Sequence, residues 1–254
     1  MEKDLLRLDA LLKLIFTKYG TRITQPAVLL SGGIDSSIIT VLAQHYYPQV
    51  TPYCLTTQNS QDRPFVDLLC QTLHLQPTYI TPTEDQIIKA VQILKPLLNE
   101  NNIPPNLTQL SLAVATYLAL VKIAKNGYED VFSGQGPDIL FAGYARYRKA
   151  VSLNQAIIQD LPGLEIDQKR EALIANIFGL KLHYPYLDQR VIDFSLSLPP
   201  NSKIYNGVDK YLLRQYGKYL KLPQEIVNRP KKAFQHSTGI AKKVCAIQRV
   251  KMTR

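Results

Sequence analysis

Ala27-Val28-Leu29-Leu30-Ser31-Gly32-Gly33-Ile34-Asp35-Ser36-Ser37 is the stretch on which the reading of this chain turns. Four apolar residues read as a buried strand, and the residues from Ser36 to Gln44 read as a helix, so the seven-residue run Ser31 to Ser37 bridges strand and helix. Two glycines there let backbone N–H groups approach an anion closely. The serine hydroxyls and the following helix N-terminus add donors and a favourable dipole. The combination predicts a phosphate cradle, with a plain glycine turn and a serine N-cap as the bland alternative. The run has neither the lysine of G-x-x-x-x-G-K-[ST] nor the spacing of G-x-G-x-x-G, which excludes those two nucleotide loops.

Alternating strand-like and helical stretches extend outward from this loop. An amphipathic helix is expected before it, since Leu5, Leu6, Leu8, Leu11, Leu12 and Ile15 recur at helical spacing. Further strands are expected at Val50 to Thr56, Thr78 to Thr81 and Val131-Phe132, with helices at Phe65 to Leu73 and Leu110 to Lys125, the latter stopping at Asn126-Gly127. After Tyr147 the pattern turns helical, punctuated by Pro185, Pro199, Pro200, Pro223 and Pro230. That order predicts an α/β fold: an open, mainly parallel sheet flanked by helices, with a helical C-terminal part and a ligand at the carboxyl ends of the strands.

At 254 residues and 46% hydrophobic, the chain is long enough for one substantial core, and residues 1–254 are expected to form one domain. No run of about 18 uninterrupted apolar residues occurs, and Met1-Glu2-Lys3-Asp4 is unlike a secretory leader, so a cytoplasmic protein with no membrane partner is expected. Cys54, Cys70 and Cys245 form no C-x-x-C pair, which removes the usual zinc and thiol-relay patterns. The net charge of +10 is concentrated late, with no acidic residue after Glu225. A basic tail from about residue 235 is expected, either solvated or contacting phosphate or RNA.

The run Ser31 to Ser37 resembles, without a mismatch, the S-G-G-x-D-S motif of the PP-loop ATP pyrophosphatases. A second stretch, Ser133-Gly134-Gln135-Gly136-Pro137-Asp138 with Phe141-Ala142-Gly143-Tyr144, is similar to the S-G-E-G-x-D-E-x-F-x-G-Y of asparagine synthetases. Tyr184-Pro185-Tyr186-Leu187-Asp188, Leu212-Leu213-Arg214 and Arg229-Pro230-Lys231 agree in order and spacing, so the resemblance runs from about Ala27 to Phe234.

The resemblance implies an AMP- and pyrophosphate-forming ligase acting on ATP with Mg²⁺. Ser31, Gly32, Gly33, Asp35, Ser36, Ser37, Ser133 and Gly134 would hold ATP, Asp35 and Asp138 would ligate the metal, and Lys231 would lie near the reacting phosphate. Aspartate and ammonia are the default substrates. Glu2 stands where the glutaminase domain of full-length relatives begins with cysteine, so nitrogen is expected from ammonia or a separate glutaminase subunit. Gln135 occupies the position of a glutamate, and Ile139 that of the second acid. A neutral amide cannot serve as a general base near pH 7, so Gln135→Glu is expected to favour amide formation. Two alternatives are a tRNA-modifying PP-loop ligase, in which nucleic acid would be the partner, and a nucleotide-binding subunit without catalysis.

Overall fold

The computed structural model describes residues 1–20, 22–57, 60–230 and 237–252. Among these, five parallel strands form one sheet: β1 (Ala27–Leu29), β2 (Thr51–Leu55), β3 (Thr78–Ile80), β4 (Asp130–Phe132) and β5 (Lys181–His183), in the order β3-β2-β1-β4-β5. Ala27 is in register with Thr51 on one side and with Val131 on the other. Pro52 is tolerated in the interior strand β2 because pairing with β3 begins only at Tyr53. The strand order reverses direction between β1 and β4. A sheet of this kind opens a crevice at the carboxyl ends there, and the two loops singled out from the sequence, following β1 and β4, line it.

Helices cover both faces. On one lie α1 (Glu2–Gly20), α2 (Ile34–Tyr46) and α3 (Arg63–Leu73), where Leu12, Phe16, Ile38, Val66 and Phe132 are completely buried. On the other lie α4 (Glu84–Glu100) and α5 (Leu107–Lys125). Thr83 starts α4 with a reciprocal cap: its hydroxyl accepts from the Gln86 amide at 3.3 Å, and its own amide donates to Gln86 Oε1 at 2.9 Å. Helix α5 is long and apolar enough to cross a membrane by composition, but Leu110, Ala113, Val114 and Leu120 are fully buried against the sheet and its neighbours, which accounts for the apolarity.

Beyond β4 come α6 (Pro137–Leu140), α7 (Leu153–Ile177), α8 (Gln189–Ser197), α9 (Pro200–Lys203), a hairpin of β6 (Ile204–Tyr205) and β7 (Val208–Asp209), α10 (Tyr211–Tyr219), α11 (Gln224–Asn228) and α12 (Ile240–Met252). The basic segment expected as a tail is thus helical from Ile240. Ile240, Val244 and Ile247 recur on one face and are buried against α4 and α5, while Lys242 and Lys243 face solvent. Strand β5 interrupts the stretch expected to be helical. It pairs only with β4, and at an edge Lys181 remains exposed, so the apolar pattern of a buried strand is missing.

Candidate active site

The loop after β1 is held by its own hydroxyls. Ser36 Oγ donates to Gly33 O at 3.2 Å and accepts from the Ser31 amide at 3.2 Å, and it lies 3.2 Å from Ser31 Oγ. Gly32 has φ +68°, and a Cβ there would sit 2.6 Å from Phe65 Cβ, so both backbone and space require glycine. Gly33 caps α2 with an extended backbone and no side-chain bond, leaving the first helical amides for an anion. Ser37 faces away from the cavity. Its amide donates to Gly33 O at 3.0 Å, and its hydroxyl is fully buried with no hydrogen-bond partner among the described residues, off the cavity wall.

The loop after β4 lies directly against the first. A Cβ on Gly134 would stand 2.9 Å from the Ser36 amide nitrogen, closer than any side chain tolerates. Ser133 continues the β4–β5 ladder by donating to His183 O at 2.9 Å. Ser31, Asp35, Ser36, Ser133, Gly134 and Gln135 therefore share one cavity wall.

Asp35 in the first turn of α2 and Asp138 in α6 converge on one cation, the ammonium of Lys210. Nζ lies 2.5 Å from Asp35 Oδ2 and 2.7 Å from Asp138 Oδ1, and the lysine side chain is 3% exposed. Burial alone would lower its pKa, but the carboxylates of Asp138 and Asp35 outweigh that and raise it above the usual lysine range. Lys210 occupies the left-handed region, φ 53°, between β7 and α10, a conformation that costs a non-glycine residue free energy and is held by its surroundings. Both carboxylates are hard oxygen donors aimed at a position already occupied by positive charge. They fit Mg²⁺, which takes one or two carboxylates and completes its shell with water and substrate phosphates.

Next to this pair, Arg214 and Arg229 line a further recess with Gly33 and Asp62. Arg229 donates to Ser31 O at 2.7 Å and to Asp62 Oδ1 at 2.5 Å, and its guanidinium lies 4.1 Å from the Phe65 ring centroid. It fixes the first loop from outside. Arg214 donates to Asp209 O at 2.8 Å and also to Val227 O, tying α10 to α11. Burial lowers its pKa against the pull of Asp35 and Asp209. Lys231 lies outside the described residues.

A cavity of about 400 Å³ lies against Gln135 and Asp138, with Tyr144, Arg146, Asp160 and Asp167 also in its wall. Gln135 borders both this space and the cavity along the first loop. Glu171 of α7 reaches the first cavity, where burial raises its carboxyl pKa against the opposing pull of Arg170. Sequence reasoning missed Lys210 and Glu171. Neither sits in a motif of its own, and Lys210 meets Asp35 across 175 positions.

The sequence model of the Asparagine synthase family matches residues 24–176 and 164–250. A putative glutamine-hydrolysing asparagine synthetase of Methanocaldococcus jannaschii is 27% identical over 91% of this chain and 49% of its own length. The glutamine-hydrolysing asparagine synthetase of Rattus norvegicus is 34% identical over 84% of this chain and 39% of its own. The chain thus spans half or less of the length of these curated relatives. The structure of NMN synthetase from Francisella tularensis aligns with a TM-score of 0.48 at 13% identity, covering 92% of this chain and 76% of that one. With the family match extending over both loops and on through α12, this chain belongs to the asparagine synthase family.

Proposed function

We propose that this chain is an ATP-dependent, AMP-forming ligase that adenylates a small carboxylate and passes the acyl group to nitrogen, with aspartate and ammonia as the default pair. The observation that carries it is the convergence of Asp35 and Asp138, from the loops after β1 and β4, on one cation beside the open N-terminus of α2. Family membership supports the same reading.

In this reading the amides at the start of α2 and the hydroxyl of Ser31 cradle the phosphates, and Asp35 and Asp138 hold Mg²⁺. The ion, when bound, neutralises phosphate charge as the bond between the α- and β-phosphates breaks. A substrate carboxylate oxygen attacks the α-phosphorus, the α–β bridging oxygen leaves with pyrophosphate, and an acyl-adenylate forms. Nitrogen then attacks the acyl carbon, AMP leaves with the bond electrons, and the nitrogen loses its extra proton to solvent. Lys210, Arg214 and Arg229 border the recess expected to receive pyrophosphate. Lys231 is assigned there too, on its resemblance to the family's lysine. Preorganised cations of this kind favour the transition state because they need no reorientation as charge builds up.

Pyrophosphate and AMP release from MgATP, measured across a panel of amino acids and tRNA with and without ammonium, tests the proposal. Aspartate-dependent release is expected. Release that requires tRNA would indicate the nucleic-acid alternative, and ATP binding without turnover a non-catalytic role.

A further inference from the structure

We propose that Asp167, held by Arg170, is a positioning residue that turns the side-chain oxygen of Gln135 toward the acceptor cavity as the receptor for a protonated nitrogen. The inference rests on the ligase reading and specifies what the second cavity recognises. Gln135 Nε2 donates to Asp167 Oδ2 at 3.0 Å. The other oxygen, Asp167 Oδ1, accepts from Arg170 Nη1 at 2.5 Å, and the same Nη1 lies 2.5 Å from Gln109 Oε1. Arg170 is 1% exposed, so this arrangement is built into the packing of α5 against α7.

The polarity of Gln135 follows from donor and acceptor inventory. An ionised carboxylate has no hydrogen to offer, so only the NH₂ end of the amide can face Asp167. Oε1 is thereby left as the acceptor at the other end of the amide, on a residue that lines both cavities. Both Asp167 oxygens are already engaged, Oδ2 by Gln135 and Oδ1 by Arg170, which it shares with Glu171. Elsewhere in the wall, Asp160 is engaged by Arg146 at 2.7 Å and by the Tyr147 hydroxyl at 2.5 Å. An uncharged carbonyl oxygen of fixed direction selects an N–H donor. The nitrogen is that of ammonium, which must give a proton to solvent before attacking as ammonia, or that of the α-ammonium group of an amino-acid substrate.

This wiring reverses the effect expected of Gln135→Glu from sequence. That substitution would set two carboxylates about 3 Å apart, where like charges cannot both ionise comfortably. Exchanging both residues, Gln135→Glu with Asp167→Asn, restores one donor and one acceptor across the contact and again presents an oxygen to the cavity.

The experiment uses the full chain and two readouts. Without turnover, the Gln135 side-chain amide, identified by its loss in Gln135→Glu, is followed by ¹⁵N–¹H correlation during titration with ammonium chloride against a potassium chloride control. A shift that saturates with ammonium is expected, weakened about tenfold in Asp167→Asn, whose amide can donate as well as accept and so no longer fixes which end of Gln135 faces the cavity. With turnover, aspartate-dependent exchange of pyrophosphate into ATP and ammonium-dependent AMP formation are measured for both single variants and the double. A tenfold rise in KM for aspartate at constant kcat identifies the α-ammonium as the nitrogen, and the same rise for ammonium identifies the nucleophile. In either case the double variant should recover most of the loss in Gln135→Glu. An amide indifferent to ammonium, together with unchanged KM values in Asp167→Asn, overturns the inference. An amide that responds to ammonium while no exchange occurs with any carboxylate leaves it standing and refutes the ligase reading.

Discussion

Replacing Lys210 by methionine removes the ammonium while keeping most of the stem, and the structure sets the size of the effect. Asp35 Oδ2 and Asp138 Oδ1 both touch Nζ, so they are no further apart than the sum of contacts of 2.5 and 2.7 Å. Two carboxylates about 5 Å apart, at an effective dielectric of about 20, repel by about 3 kcal/mol, a figure that a shorter separation raises and that solvent screening lowers, since Asp35 and Asp138 are 20% and 32% exposed. The sign with pH follows. In the variant one carboxyl has a raised folded-state pKa, so the penalty is absent when it is protonated and grows as pH rises through and above the carboxylate range. Lys210→Met should therefore lower Tm little near pH 4.5 and more near pH 8 without Mg²⁺. Millimolar Mg²⁺ should recover that loss and stabilise the variant more than the parent, because no ammonium competes for the two carboxylates. Turnover should fall about 10²-fold, as when a preorganised electrostatic donor is removed. Differential scanning fluorimetry across pH, with and without Mg²⁺, reads the first effect, and pyrophosphate release the second. Equal stabilisation of both proteins by Mg²⁺ would refute the idea that lysine and metal share this position.

Asp138→Ala should abolish Mg²⁺-dependent pyrophosphate release and lower Tm, since buried Lys210 loses one of the two carboxylates that hold it while little packing is removed; near-normal activity would remove Asp138 from the metal site. Lys231→Ala should lose about 10²-fold in kcat with a smaller change in ATP affinity, and a larger defect in Lys232→Ala would show that the neighbouring lysine carries the role. Gly134→Ala forces a Cβ to within 2.9 Å of the Ser36 amide nitrogen, so ATP binding should weaken at least tenfold; an unchanged KM for ATP would mean the two loops separate without consequence. Detection of ADP in place of AMP as the stoichiometric product would sink the reaction class itself.

The part of the fold that follows local chemistry was legible in the sequence. The strand from Ala27, the glycine turn and the helix after it stand where the apolar run and the serine-glycine loop put them, with α2 opening at Ile34 instead of Ser36. Tyr53, Cys54 and Leu55 in β2, and Val131 and Phe132 in β4, are buried strand residues and read as such. What local pattern could not supply was anything fixed by distant contact. Lys181-Leu182-His183 is a strand only because β4 offers it an edge. Helix α4 carries Pro96 in its interior, which blurs its pattern, yet Ile87, Ala90, Val91 and Leu94 bury its inner face. In the site, Asp35 and Asp138 lay in motifs and both contact Lys210, whereas Lys210 had no surrounding signal and Gln135 gave no hint of Asp167. Ser37 shows the opposite arrangement: a motif residue whose hydroxyl packs inward.

The docking of α12 on α4 and α5 has a consequence for how the protein is made. Ile240, Val244 and Ile247 cover a layer whose other members include Leu94, Leu110 and Ala113, synthesised well over a hundred residues earlier. At typical ribosomal speeds that interval is on the order of ten seconds, long compared with local helix formation. During it α5, membrane-like in composition, waits without its final cover. Nascent chains halted before residue 240 should therefore bind holdase chaperones strongly through α5 and release them once α12 has emerged.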